Sequence, residues 1–122
     1  PPTYAWYMAG LVFEWIEEMG GVQRMAELNQ QKAETLYTFL DESDFYINDI
    51  PSRFRSHMNI PFQIVDESLH ARFVAEAESA GLSSLKGHRS VGGMRASIYN
   101  AMPLAGIHAL IDFMKDFESK MG

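Results

Sequence analysis

The sequence predicts a two-layer α/β sandwich, with helices packed on a small, largely antiparallel sheet. Three observations predict it. Apolar residues recur at helical spacing in four stretches. Other stretches alternate apolar and polar residues with a period of two. Glycine, proline or aspartate punctuates the junctions between them. The resulting order is helix, helix, strand, strand, helix, strand, strand, helix, which suits two layers around one core.

The first helix opens at Pro2, whose missing N–H is harmless in a first turn. Ala5, Met8, Val12, Trp15, Ile16 and Met19 follow at helical spacing, and Gly20-Gly21 stops the run. A second helix is expected from Val22 to Leu40, with Met25, Leu28, Leu36, Phe39 and Leu40 inward. The polar stretch Asn29-Gln30-Gln31-Lys32 is expected to face outward. Asp41 to Asp44 reads as a solvated turn, since it lacks the glycine and ligand spacing of a calcium loop.

Phe45-Tyr46-Ile47 reads as a short strand, and Asn48 to Ser56 as a loop. Met58, Ile60, Phe62 and Ile64 then alternate with Asn59, Pro61 and Gln63, the pattern of a half-buried strand. Pro61 cannot donate to a ladder, so it is expected at an edge, a strand start or a bulge. Asp66 is a fitting N-cap for a third helix lined by Leu69, Phe73, Val74 and Ala77 and ended by Gly81. Leu82 to Leu85 is a candidate strand. Met94, Ala96 and Ile98 alternate with Arg95, Ser97 and Tyr99 as another. Pro103 begins the last helix, with Ile107, Leu110, Ile111, Met114 and Phe117 on one face.

A chain of 122 residues suits one domain, residues 1–122, and can bury a core without staples. It has no cysteine, which excludes a disulfide scaffold, a thiol nucleophile and a cysteine zinc site and fits a cytoplasmic location. No apolar run approaches the roughly 18 residues of a membrane span. The start carries no basic leader and no initiator Met, so a fragment or processed chain is expected. The net charge of −6 disfavours nucleic acid as a partner. The charge is also uneven. From Ser79 to Ile111 there is no acid, while Lys86, Arg89 and Arg95 lie there. A locally positive segment on an acidic chain suits a small anionic ligand.

That segment concentrates the chemistry. Lys86-Gly87-His88-Arg89-Ser90-Val91-Gly92-Gly93-Met94-Arg95 holds three glycines, two arginines, a lysine and a histidine. Glycines let a ligand approach the backbone, and arginine forks match carboxylate or phosphate oxygens in pairs. Arg89 and Arg95 could hold the two ends of one dianion. A glycine-rich hairpin with solvated cations remains the other reading. Gly87 and Gly92 share the outer spacing of a phosphate loop, but Gly93-Met94 stands where that loop needs Lys and Ser or Thr. His57, His70, His88 and His108 show no metal-ligand spacing. No nucleophile elbow is present. The residues make a clamp without a catalytic group.

The run from Gly87 to Pro103 closely resembles the C-terminal signature of the phosphoserine aminotransferase family. Pro1 to Gly10, Asn29-Gln30-Gln31-Lys32-Ala33 and Met58-Asn59-Ile60-Pro61-Phe62 resemble it too, so the likeness covers essentially the whole chain. The family consists of homodimeric fold-type I enzymes that use pyridoxal phosphate. They move an amino group between glutamate and 3-phosphohydroxypyruvate, giving phosphoserine, and in bacteria serve a related step toward pyridoxine. The resemblance implies that Arg95 binds the substrate α-carboxylate. It implies that His88 and Arg89 hold the distal phosphate or the glutamate side-chain carboxylate. It also implies the C-terminal domain alone, without the family's large domain and its Schiff-base lysine. Lys86 belongs to the substrate segment and does not fill that role. The chain alone is therefore expected to hold no pyridoxal phosphate and to be inactive. The alternatives are a free-standing module for a small phosphorylated or dicarboxylic metabolite, and a purely structural dimer partner.

Overall fold

The helical runs form four helices: α1 (Thr3–Glu18), α2 (Gly21–Asp41), α3 (His70–Ser79) and α4 (Leu104–Met121). Three strands complete the fold: β1 (Tyr46–Ile47), β2 (Asn59–Ile64) and β3 (Met94–Ser97). The computed structural model describes all residues 1–122. The strands form one antiparallel sheet in the order β1-β2-β3, with Tyr46 opposite Ile64 and Pro61 opposite Arg95.

One face of the sheet is dry. Ile60, Phe62, Ile64, Met94, Ala96 and Ile98 are each at most 2% exposed and pack under α2, α3 and α4. Phe73 of α3 stands at the centre of the core. Its ring meets those of Phe117 at 5.1 Å, Phe113 at 5.2 Å, Phe62 at 5.8 Å and Tyr46 at 6.0 Å, all edge-on. Edge-to-face geometry places the positive rim of one ring on the negative face of the next. The Tyr46 hydroxyl donates to the Met114 carbonyl at 2.8 Å, and burial pushes its pKa up. The opposite face, lined by Asn59, Pro61, Gln63, Arg95 and Ser97, is half-buried and mostly polar. No helix is long and apolar enough to cross a membrane.

Three expectations are corrected. Leu82 to Leu85 is not a strand. Ser84 has φ of +63°, which breaks the extended run, and only Lys86 bridges to Met94. Pro61 lies in the middle of the central strand rather than at an edge. The Arg95 N–H turns away from β2 to the Leu85 carbonyl, so Pro61 and Arg95 are a non-hydrogen-bonded pair. Pro61 therefore faces the other side, where β1 has already ended. Its carbonyl there accepts from Asn48 Nδ2 at 2.6 Å, and its missing donor costs nothing.

The third correction concerns α2. Asn29 and Lys32 face inward and are only 6% and 3% exposed. Lys32 Nζ donates to the carbonyls of Tyr99 at 2.9 Å and Ile98 at 3.3 Å. Asn29 Nδ2 donates to Asn100 Oδ1 at 2.8 Å. Main-chain and amide acceptors satisfy these donors, so the polar pair takes core positions. Together they tie the exit of β3 to α2.

Candidate functional site

The glycine-rich segment forms a tight loop between Lys86 and β3. The Gly87 N–H donates to the Gly93 carbonyl at 3.0 Å, and the Val91 and Gly92 N–H groups share the His88 carbonyl at 3.0 and 2.8 Å. This closure demands glycine at two positions. A Cβ on Gly87 would stand 2.1 Å from the Gly92 carbonyl oxygen. Gly93 has φ of +60°, and a Cβ there would meet the Phe62 carbonyl at 2.8 Å.

The loop presents His88 and Arg89 outward, both exposed. They border a cleft of about 490 Å³ with Lys86, His70 and Val74. The Ser90 N–H points to His88 Nδ1 at 3.3 Å and the Ser90 hydroxyl lies 2.8 Å from it. His70 is engaged otherwise: its Nε2 lies against the main chain of Ile64, 3.1 Å from the N–H and 3.0 Å from the carbonyl oxygen.

Arg95 does not line this cleft. It stands on the outer face of β3, half-buried, while its neighbours Met94 and Ala96 join the core. Its Nε is buried and has no hydrogen-bond partner. Leaving such a donor unpaired costs about 1–3 kcal/mol. The ion pairs of the chain use Arg24, Arg55, Arg72 and Lys120, so neither Arg89 nor Arg95 is neutralised by a carboxylate. The sequence brought His88, Arg89 and Arg95 together on one segment. The fold puts the first two on a loop cleft and the third on a strand face beside it.

No group of three or more His, Asp or Glu stands close enough to hold a metal ion. The lysines do not make an aldehyde pocket either. Lys32 is spent on two carbonyls, and Lys120 pairs with Asp116. Lys115 lies 5.9 Å over the Phe39 ring in an open groove between α2 and α4, with the sheet between it and Arg95. Lys86 is exposed on the rim of the loop cleft, whose only rings are the imidazoles of His70 and His88 and which holds no carboxylate. None of the four lysines stands in an enclosed pocket beside a carboxylate, so the residues of this chain do not by themselves fit pyridoxal phosphate.

Sequence reasoning missed Asn29 and Lys32, which brace the strand exit just beyond Arg95. Helical spacing contains the signal, because Met25, Asn29, Lys32, Leu36 and Leu40 form a single stripe.

A family model for class-V aminotransferases matches residues 1–110, from α1 into α4. The chain belongs to the class-V aminotransferase family. Among solved structures, a phosphoserine aminotransferase from Bacillus circulans subsp. alkalophilus is 44% identical with a TM-score of 0.95, over 100% of this chain and 34% of that one. A pyridoxal-phosphate-bound phosphoserine aminotransferase from Trichomonas vaginalis is 43% identical with a TM-score of 0.87, over 94% of this chain and 33% of that one. A third, a phosphoserine aminotransferase studied for radiation damage of its Schiff base, is 42% identical with a TM-score of 0.93, over 98% and 34%. The chain thus spans about a third of the length of these relatives and matches their C-terminal portion. In this class-V aminotransferase segment the matched residues include His88, Arg89 and Arg95.

Proposed function

We propose that this chain is the C-terminal small domain of a phosphoserine aminotransferase and supplies its substrate anion clamp. The observation that carries the reading is Arg95: a half-buried, unpaired guanidinium in a chain 44% identical throughout to a phosphoserine aminotransferase. Arg95 takes the α-carboxylate common to glutamate, phosphoserine and 3-phosphohydroxypyruvate. His88 and Arg89 take the distal group, a phosphate or the second carboxylate. A phosphorylated hydroxythreonine on the way to pyridoxine offers the same two ends. Pyridoxal phosphate supplies the electron sink for amino transfer in such enzymes, and in this reading other parts of a longer polypeptide hold it. Those parts also cover the apolar faces of α1, and the whole works as a cytoplasmic homodimer.

Steady-state kinetics of the intact enzyme test the clamp. Removing a charged partner from a desolvated site costs about 2–5 kcal/mol. Arg95→Ala should lower kcat/KM by that amount for glutamate and phosphoserine alike. Arg89→Ala should lower it more for phosphoserine, because phosphate offers more charge and more acceptor oxygens. Small, equal losses in both variants would leave two surface cations and no clamp.

A further inference from the structure

The strand motif Met58-Asn59-Ile60-Pro61-Phe62 has no part in the clamp described so far, yet it lies directly beside it. Asn59 opens β2 on the outer face of the sheet, opposite Ser97 in register. The Ile98 N–H turns inward to the Met58 carbonyl, so Asn59 and Ser97 form a non-hydrogen-bonded pair like Pro61 and Arg95. Side chains approach most closely in such pairs. Asn59 is also the diagonal neighbour of Arg95 on the same face, at a spacing of about 7–8 Å, within reach of long side chains.

The amide is anchored by two hydroxyls. Asn59 Oδ1 accepts from Ser97 Oγ at 3.0 Å and from the Tyr99 hydroxyl at 3.3 Å. Two donors use both lone pairs of that oxygen. Tyr99 is itself anchored, because Lys32 Nζ holds its carbonyl and Asn29 holds the next residue, Asn100. With Oδ1 occupied, the two Nδ2 protons have no acceptor in the chain and remain available on the face that carries Arg95.

We propose that Asn59 is a second binding residue for the carboxylate that Arg95 receives. A carboxylate offers about four lone-pair positions, and one guanidinium fork fills two. Asn59 Nδ2 donates to an oxygen that the fork leaves unsaturated. Ser97 and Tyr99 orient it, and the buried Lys32 and Asn29 hold that support in place. The inference rests on the reading that Arg95 binds a carboxylate, and it extends the clamp to any α-amino or α-keto acid.

The test is made in the intact enzyme with pyridoxal phosphate bound, using glutamate and phosphoserine as donors. Asn59→Ala should raise KM about 10- to 100-fold for both, as expected for one hydrogen bond to a charged group, with kcat within about threefold. Asn59→Asp keeps the volume and both hydroxyl bonds, so it folds even where Asn59→Ala does not. It places a like charge against the ligand, so its KM should rise further and recover as pH falls toward the carboxylate range. A merely structural Asn59 would show as a lower unfolding midpoint of Asn59→Ala rather than as a raised KM at near-constant kcat. Arg95→Ala is measured alongside. If it falls as expected while both Asn59 variants stay within twofold of the parent, Asn59 is not a ligand and the Arg95 reading stands. If Arg95→Ala is silent as well, both fail.

Discussion

α1 and α4 are nearly equal in length, at 16 and 18 residues, and opposite in how they spend their apolar side chains. α4 places Ile107, Leu110, Ile111, Met114 and Phe117 on one buried stripe and leaves charged residues on the other side. α1 has only three charged residues, all glutamates near its end, yet buries no side chain fully. Tyr4, Trp6, Tyr7 and Phe13 are 65–76% exposed. The difference teaches that burial in this fold follows stripe geometry rather than total apolar content. A single stripe can be satisfied from one side, as that of α4 is by the shared core of α2, α3 and the sheet. A helix apolar on several faces needs several neighbours, and the main helical neighbour of α1 is α2.

The sharpest way to break this comparison is to empty the α4 stripe. Phe117 is 1% exposed and stacks edge-on against Phe73 at 5.1 Å. Phe117→Ala should destabilise the chain by about 3–5 kcal/mol, combining lost transfer energy with a cavity the crowded rings cannot refill. Urea unfolding followed by far-UV circular dichroism measures it. A loss below about 1 kcal/mol would mean that α4 is not the core helix.

Much of this division was legible in the sequence. All four helices, β2 and β3 followed from periods of 3.6 and 2, because each exposes one face to a core. The burial of Lys32 and Asn29 is legible from their place on the α2 stripe, but their partners are not, since these lie 66 to 71 residues away and include two main-chain carbonyls. A carbonyl belongs to every residue and leaves no trace in composition. Leu82 to Leu85 reads as a strand because it is apolar at both ends, and only the left-handed turn at Ser84 excludes it. The clustering of His88, Arg89 and Arg95 was plain from glycine and arginine content. That the loop cleft excludes Arg95 was not, because alternation fixes the face on which Arg95 stands but not where the loop from Lys86 to Gly93 folds beside it.

A smaller effect sharpens the comparison through α2, the helix that touches both others. Lys32 occupies a stripe position despite its polarity. Lys32→Met keeps the length of the side chain but strips two carbonyls of their donor, which should cost about 1–3 kcal/mol. Desolvation lowers the Lys32 pKa from its ordinary 10.5. The unfolded chain therefore keeps its proton at pH values where the folded chain has released it. Stability of the parent relative to Lys32→Met should rise with pH across the interval below 10.5 and level off above it. A neutral amine retains two N–H donors, the number in use here, so the hydrogen bonds survive that titration. A difference independent of pH would show that Lys32 is solvated in the folded state.

The smallest expected effect on stability, at the other end of the comparison, comes from α1. Trp6 is 74% exposed and Phe13 65%. Neither has much contact to lose, so Trp6→Ser and Phe13→Ser should each shift the unfolding free energy by no more than about 0.5 kcal/mol. Their consequence should appear between molecules instead. Exposed apolar area is worth about 25 cal/mol per Å² when two surfaces cover each other, and two large aromatic rings contribute a good part of what α1 offers. The parent chain should therefore self-associate as its concentration rises, and the double variant should remain monomeric over the same range. Sedimentation velocity read beside the unfolding curves separates the two quantities. Equal association with unchanged stability would move the sticky surface elsewhere. A loss of several kcal/mol would mean that α1 is packed within its own chain after all, and the contrast with α4 would collapse.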